Sequence, residues 1–269
     1  MNIKRIKKRI IIGLMIGSVS CFLLSCQKAS VDSAMSKDVI VVGLDDAFAP
    51  MGFKAENGEI VGFDVDLAKE VSKRLDKQVE FQPIDWSMKE SELKAGNIDL
   101  LWNGYTITDK RKEVVDFSDP YLNNKQVIVT LKDSDINSKE DLAGKKVGAQ
   151  SESSAIDAME KDESLYERFD GAEAITFEDN NQALMDLEAG RIDAVVADEI
   201  LVKYYISLKG EDKFKILEDD FGSEEYGVGI RKGDTETVDA INKAFEEMKE
   251  DGTMAEISNK WFGEDITNN

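Results

Sequence analysis

A nine-residue pattern occurs twice in this chain. Leu93-Lys94-Ala95-Gly96-Asn97-Ile98-Asp99-Leu100-Leu101 returns as Leu187-Glu188-Ala189-Gly190-Arg191-Ile192-Asp193-Ala194-Val195. Each copy reads as a helix end, a glycine cap and a buried strand. Glycine tolerates the left-handed backbone that stops a helix, and the apolar run after it suits a sheet interior. Each copy also follows, at some distance, a similar strand start, Val42-Gly43 in one case and Val147-Gly148 in the other. The repeat predicts two like-built α/β lobes, each alternating strands and helices.

The first residues are not part of either lobe. Lys4, Arg5, Lys7, Lys8 and Arg9 precede an apolar run over 10–24. That run falls short of the ~20 residues of a spanning helix and reads as a signal peptide over 1–25. Its end, Leu23-Leu24-Ser25-Cys26, resembles the bacterial lipobox, which implies cleavage before Cys26 and lipidation of that residue. A polar tether over 26–37 would follow. Both cysteines, Cys21 and Cys26, lie at this leader, so the exported body has neither a disulfide nor a thiol nucleophile, and the absence of histidine excludes His-based triads and His metal sites. The leader holds five of the 34 basic residues and none of the 55 acidic ones, leaving 29 against 55, a net −26. Such a field repels nucleic acid and anionic membrane surfaces. No metal and no cofactor is expected.

Along the body, Val39–Leu44 is a buried strand ending in a loop that carries Asp45 and Phe48. Glu56-Asn57-Gly58-Glu59 is a hairpin turn, and Asp64 reads as the N-cap of a helix over 65–75. A strand at 79–81 leads to Asp85-Trp86 and a helix over 89–94. Strands are expected at 126–131, at 147–150 opening into a helix at Ser151-Glu152-Ser153-Ser154, at 193–197 ending in Asp198-Glu199, and at 226–230. Ser138-Lys139-Glu140-Asp141 resembles a capping box. Helices are expected over 239–249 and up to Gly263. The acidic runs Asp219-Asp220 and Glu224-Glu225 read as solvated loops, and Ser91-Glu92-Leu93-Lys94, though a Ser-x-x-Lys match, as surface.

Chemistry concentrates after the first copy of the repeat. The stretch 99–111 is a strand that stops at Asn103-Gly104 and then presents Thr106, Thr108 and Arg111. A glycine, hydroxyls and a guanidinium released at a strand end can hold a small anion, since the planar Arg fork takes both carboxylate oxygens. Ligands gather at strand ends in open α/β folds. Five such ends supply Asp45 and Phe48; Trp86; Asn103, Gly104, Thr106 and Arg111; Ser153 and Ser154; and Asp198. One cation, acids, hydroxyls and aromatic rings are the complement of an amino acid. Phosphate-loop, dinucleotide and nucleophile-elbow motifs are missing, so enzymatic signals are thin.

Further stretches share one family pattern. They include Val61-Gly62-Phe63-Asp64-Val65-Asp66-Leu67-Ala68, Val115-Asp116-Phe117-Ser118-Asp119-Pro120-Tyr121, Leu142-Ala143-Gly144-Lys145-Lys146-Val147-Gly148 and Tyr226-Gly227-Val228-Gly229-Ile230-Arg231-Lys232-Gly233-Asp234. With the repeat and 99–111, the chain from about Val39 to Gly263 resembles the bacterial family 3 solute-binding proteins, the polar amino acid receptors of ABC importers. The resemblance implies a type II periplasmic-binding-protein-like α/β fold of two lobes joined by two crossover strands. Lobe one would be 38–122 plus 226–269, lobe two 126–221, with hinges about 122–126 and 221–226. Arg111 would grip the α-carboxylate with the Thr106 hydroxyl and the Ser154 backbone. The Gly104 carbonyl and Asp198 would take the α-ammonium, Phe48 would stack on the ligand, and Asp45 would face its side chain. Trp102 and Tyr105, bulkier than the family pattern, keep cystine open beside glutamine, arginine, lysine and histidine. The expectation is a non-enzymatic, monomeric lipoprotein on the extracytoplasmic face of the cell membrane, delivering to a permease. The alternatives are a cyclohexadienyl dehydratase-like enzyme on the same fold and a receptor's sensing domain. The sensing domain is disfavoured by the short tail after Gly263.

Overall fold

A computed structural model describes residues 32–268. The signal peptide and Cys26 lie outside the described residues. The first lobe opens with β1 (Val39–Leu44), a hairpin sheet of β2 (Ala47–Phe48), β3 (Gly52–Lys54) and β4 (Ile60–Val61), and α1 (Phe63–Arg74). It continues with β5 (Gln78–Pro83), α2 (Lys89–Ala95), β6 (Leu100–Leu101), α3 (Asp109–Lys112) and β7 (Val115–Phe117). Strand β8 (Leu122–Leu131) then passes into the second lobe, which holds β9 (Val147–Gln150), α4 (Ser154–Glu160), α5 (Glu163–Tyr166), β10 (Ile175–Phe177), α6 (Asn180–Glu188), β11 (Ala194–Asp198) and α7 (Glu199–Lys209). Strand β12 (Phe214–Tyr226) returns, and β13 (Gly229–Arg231), α8 (Thr235–Glu250) and α9 (Thr253–Phe262) complete the first lobe.

Each lobe is built on a five-stranded sheet, in the orders β5-β1-β6-β13-β7 and β10-β9-β11-β8-β12. In both, the first parallel strand lies between the second and the third, and antiparallel strands follow. Both faces of the central strands are covered, which is why β1, β6 and β11 read as apolar runs rather than alternating ones, unlike the edge strand β5. Leu100 joins the large core cluster and Leu101 a smaller one on the other face. Val195 and its neighbours Ala194 and Val196 divide the same way in the second lobe.

The nine-residue repeat occupies the same place in both sheets, and one contact explains it. A Cβ on Gly43 of β1 would lie 2.4 Å from Ile98 Cδ1, and one on Gly148 of β9 would lie 2.6 Å from Ile192 Cδ1. Each isoleucine of the repeat thus packs into the gap that a glycine leaves in the neighbouring strand. The aspartate that follows brackets that strand's backbone. Asp99 N donates to Val41 O (2.7 Å) while Val41 N donates to Asp99 Oδ2 (3.1 Å). Asp193 N donates to Lys146 O (2.9 Å) while Lys146 N donates to Asp193 Oδ2 (2.7 Å).

The lobes are joined by β8 and β12, which pair antiparallel from Leu131–Phe214 at one end to Leu122–Tyr226 at the other, with register shifts between. Three expectations are corrected here. Tyr226 belongs to the end of this long strand rather than to a strand over 226–230, because Gly227-Val228 separates it from β13. Glu224 is half-buried on β12 instead of lying in a solvated loop. Asp64 does not cap α1, whose N-cap is Gly62. It sits inside the first turn, fully buried, where it accepts hydrogen bonds from Gly104 N (2.7 Å) and the Tyr121 hydroxyl (3.0 Å). Within the stretch read as a tether, Ala34–Ser36 forms a short helical turn docked on the body. Ala34 is buried, and the Ser33 hydroxyl donates to Asp234 (2.7 Å). No helix among the described residues is long and apolar enough to cross a membrane.

Candidate functional site

The ten residues singled out in the sequence line one cavity between the lobes: Asp45, Phe48, Trp86, Asn103, Gly104, Thr106, Arg111, Ser153, Ser154 and Asp198. Gln150 completes the wall. The space they surround is narrow, about 280 Å³ with the solvent at its mouth included. The lobes touch directly around it. Asn181 Nδ2 donates to Ala47 O (3.0 Å), Gln150 Nε2 to Asp45 Oδ2 (2.7 Å), and Thr106 Oγ1 to Ser154 Oγ (3.0 Å). This is a closed cleft.

Lobe one brings the cation. Strand β6 stops after two residues, and the chain turns at Gly104, whose φ of +58° is left-handed. A Cβ there would lie 2.8 Å from Phe48 Cε1 and 3.1 Å from the Tyr226 ring, so glycine alone lets the turn pass between two rings. Thr108 caps α3 by accepting from Arg111 N (3.1 Å). Arg111 is nevertheless buried rather than solvated, at 5% exposure. Its Nη1 donates to Thr106 O (2.9 Å), and its guanidinium lies over the Tyr105 ring, 4.5 Å from the centroid. The Tyr105 hydroxyl donates to Glu90 Oε1 (2.9 Å), which lies 4.0 Å from Arg111 Nε. The fork is thus held flat and aimed before any anion arrives. Opposite it, the buried Ser153 hydroxyl has no hydrogen-bond partner among the described residues and sits at the N-cap of α4, where free N–H groups favour a carboxylate.

Lobe two brings the acid. Asp198, at the end of β11, accepts from Asn124 Nδ2 (2.7 Å), from Gln126 Nε2 (3.0 Å) and from the Tyr226 hydroxyl. Burial, and after it the charge of Glu224, push its carboxyl well above the usual range. At the other end of the cavity burial raises the Asp45 carboxyl to about 6, against the pull of Ala47 N and the Gln150 amide. Phe48 and Trp86 form the apolar wall, Trp86 standing edge-on to Tyr105 at 5.9 Å.

Trp102 and Tyr105 do not reach the ligand space, contrary to the weight given them for ligand identity. Trp102 packs in the lobe-one core against Tyr121 and Phe245, and Tyr105 stacks on Phe117 beneath Arg111. Asn103 works partly as a brace, its Oδ1 accepting from Asp45 N (3.0 Å). Residue-by-residue reasoning missed four neighbours. Gln150 was foreseeable, since it follows Gly148 by two positions, as Asp45 follows Gly43. Asp64 braces Gly104 from behind. Lys89, buried at 2% exposure, reaches across the cleft to Glu152 O (2.9 Å) and lies 5.3 Å from the Trp86 ring. Burial and the nearby Arg111 lower its ammonium to about 8. Glu224 is the fourth.

The architecture agrees with what comparison with known proteins finds. Residues 40–264 match the family described as bacterial extracellular solute-binding proteins, family 3, and the chain belongs to that family. It is 32% identical over 233 residues to the L-cystine-binding protein TcyJ of Escherichia coli (strain K12), covering 86% of this chain and 85% of that protein. It is 32% identical over 259 residues to the arginine-binding extracellular protein ArtP of Bacillus subtilis (strain 168), covering 95% and 98%. Among solved structures it resembles an ABC uptake transporter substrate-binding protein from Streptococcus pneumoniae with bound histidine, at 41% identity and a TM-score of 0.85, covering 88% and 97%. All three are described as binding proteins.

Proposed function

We propose that this protein is the extracytoplasmic, lipid-anchored receptor of an ABC importer, taking one polar L-amino acid into the cleft between its lobes. The observation that carries the reading is a buried guanidinium from lobe one and a buried carboxylate from lobe two lining one small cavity walled by two aromatic rings. Arg111, the Ser153 and Ser154 hydroxyls and the N-terminus of α4 receive the α-carboxylate. The Gly104 carbonyl and Asp198 receive the α-ammonium, and Phe48 and Trp86 flank the side chain. Asp45 and Gln150 face its far end, where an acid beside an amide suits a cation or an N–H donor and disfavours a second carboxylate. Histidine, arginine, lysine and glutamine fit that description; cystine, whose distal half carries a carboxylate as well as an ammonium, stays in the set because a relative is named for it.

The test is a melting screen of unfolded and refolded protein against every amino acid and cystine. Ligand at ~1,000 times Kd stabilises by about 4 kcal/mol, so one or a few discrete shifts are expected. A flat screen overturns the reading. Anchoring rests on the lipobox resemblance at Cys26: Cys26→Ala should release the protein from the membrane fraction, and unchanged fractionation would defeat that part. A cleft enzyme remains the alternative because Asp198, with its raised carboxyl, is the kind of group that serves as a general acid. Turnover of prephenate or arogenate would decide for it.

A further inference from the structure

The ammonium end of the cleft holds a second acid that the receptor reading does not use. Glu224 Oε1 accepts from Asn124 Nδ2 (2.7 Å), Gln126 Nε2 (2.8 Å) and Thr106 Oγ1 (3.0 Å). Asp198 Oδ1 accepts from the same two amide nitrogens, at 2.7 Å and 3.0 Å. Two carboxylate oxygens gripped by one pair of donors lie close together. Two like charges held that way, one buried and one half-buried, repel unless a cation joins them.

Among the described residues, the groups packed around the pair supply no such cation. On β12 the neighbour is the Tyr226 hydroxyl, and on β8 the neighbours are the two amides. From lobe one and α4 come the hydroxyls of Thr106 and Ser154. Arg111 is turned to the Thr106 carbonyl and the Tyr105 ring. Lys110 pairs with Asp157, Lys125 with Asp220, and Lys203 with Glu199 at the start of α7. Glu224 itself stands just outside the ligand cavity, in the adjoining groove shared with Thr106, Gln126 and Ser154.

We propose that Glu224 is a positioning residue of the ammonium subsite, sharing one proton with Asp198 until the ligand's ammonium takes that proton's place. The inference rests on the receptor reading. With the proton the pair carries one negative charge. When the ammonium docks the proton leaves to solvent, and two carboxylates then face one cation, so the net charge of the subsite is unchanged. Burial of Asp198 and its raised carboxyl accord with this. The crossover strands, which supply Asn124, Gln126, Glu224 and Tyr226, thereby sense occupancy by a change of proton rather than of net charge.

The test is calorimetric titration at about pH 6.5 in buffers of different ionisation enthalpy. The probe is whichever of L-arginine, L-cystine and L-histidine gives the largest melting shift, its own protonation subtracted. Wild type should release up to about one proton per ligand, and its Kd should fall by up to about tenfold per pH unit as pH rises through the titration of the pair. Glu224→Gln should abolish the release and flatten the profile, and Glu224→Asp should restore both. Wild-type binding without proton release overturns this inference and leaves the receptor reading standing. Release that persists in Glu224→Gln overturns the role of Glu224. Failure of every amino acid to bind overturns the receptor reading and this inference with it.

Discussion

The two copies of the repeat make the same contacts, yet the aspartate in each is held very differently. In lobe two Asp193 is exposed and, among the described residues, its side chain braces only the backbone of Lys146. In lobe one Asp99 is buried at 1% exposure and accepts, besides Val41 N, from Arg231 Nη2 (3.1 Å) and Lys37 Nζ (2.6 Å). Arg231 in turn donates to Leu93 O and Ile98 O, both at 3.0 Å. The difference follows chain continuity. Lobe two's sheet and helices come from one unbroken stretch, whereas lobe one must join an early segment to β13, α8 and α9 that return after the second crossover. Asp99 is where residue 37, the repeat and the returning strand are tied together. The same motif is a local brace in one lobe and a long-range pin in the other.

The largest effect should therefore come from breaking that pin. Asp99→Ala strands the buried Arg231 guanidinium and should lower unfolding free energy by about 3–5 kcal/mol. Asp193→Ala loses one exposed hydrogen bond and should lower it by about 1 kcal/mol or less. Urea unfolding of the two variants measures both. Equal losses would show that chain continuity has nothing to do with the difference.

A second contrast lies in the charges each lobe turns to the cleft: lobe one offers the ligand a cation, lobe two an acid at the end of β11. Arg111→Ala and Asp198→Ala should each weaken amino acid binding by roughly two orders of magnitude. Arg111→Lys should do nearly as much harm, since a point charge cannot replace a fork already seated over Tyr105. Calorimetry on folded variants reads the loss directly. Binding that survives either alanine substitution would remove that residue from the clamp.

How much of this was legible depended on whether the signal was local. Glycine caps, strand ends and the arginine after two hydroxyls are written in nearby residues, and all ten chosen residues line one cavity. Asp64, Lys89, Glu90 and Glu224 carry no such mark. Their roles come from partners remote in sequence: Gly104 for Asp64, Glu152 for Lys89, Tyr105 for Glu90, Asn124 and Gln126 for Glu224. In a chain with 55 acidic residues, nothing local separates the acid that turns inward from those that face water. Asp64 shows the hazard: an acid at a helix start has a ready local explanation as a cap, and that explanation was the wrong one.

The smallest effect probes the shared contact itself. Alanine at Gly43 or Gly148 would drive a Cβ against the isoleucine of the repeat, and overpacking of this kind typically costs about 1–3 kcal/mol. The two sites should not respond alike. Ile98 is fully buried, and the next atoms the new methyl would meet are Ile98 Cγ2 at 3.2 Å and Ile84 Cδ1 at 3.3 Å, so the clash has nowhere to relax. Around Gly148 the further obstacle is the Phe177 ring, 2.9 Å away but half-buried on the edge strand β10 and able to swing outward. Gly43→Ala should fall near the upper end of that range and Gly148→Ala near the lower. Gly43→Ala should also disturb Asp45 two residues on, whereas Gly148→Ala would act on Gln150. Thermal and urea unfolding of the pair, with and without the best ligand, separates stability from binding. A larger loss in Gly148→Ala than in Gly43→Ala would mean that lobe two, not lobe one, is the more tightly packed frame.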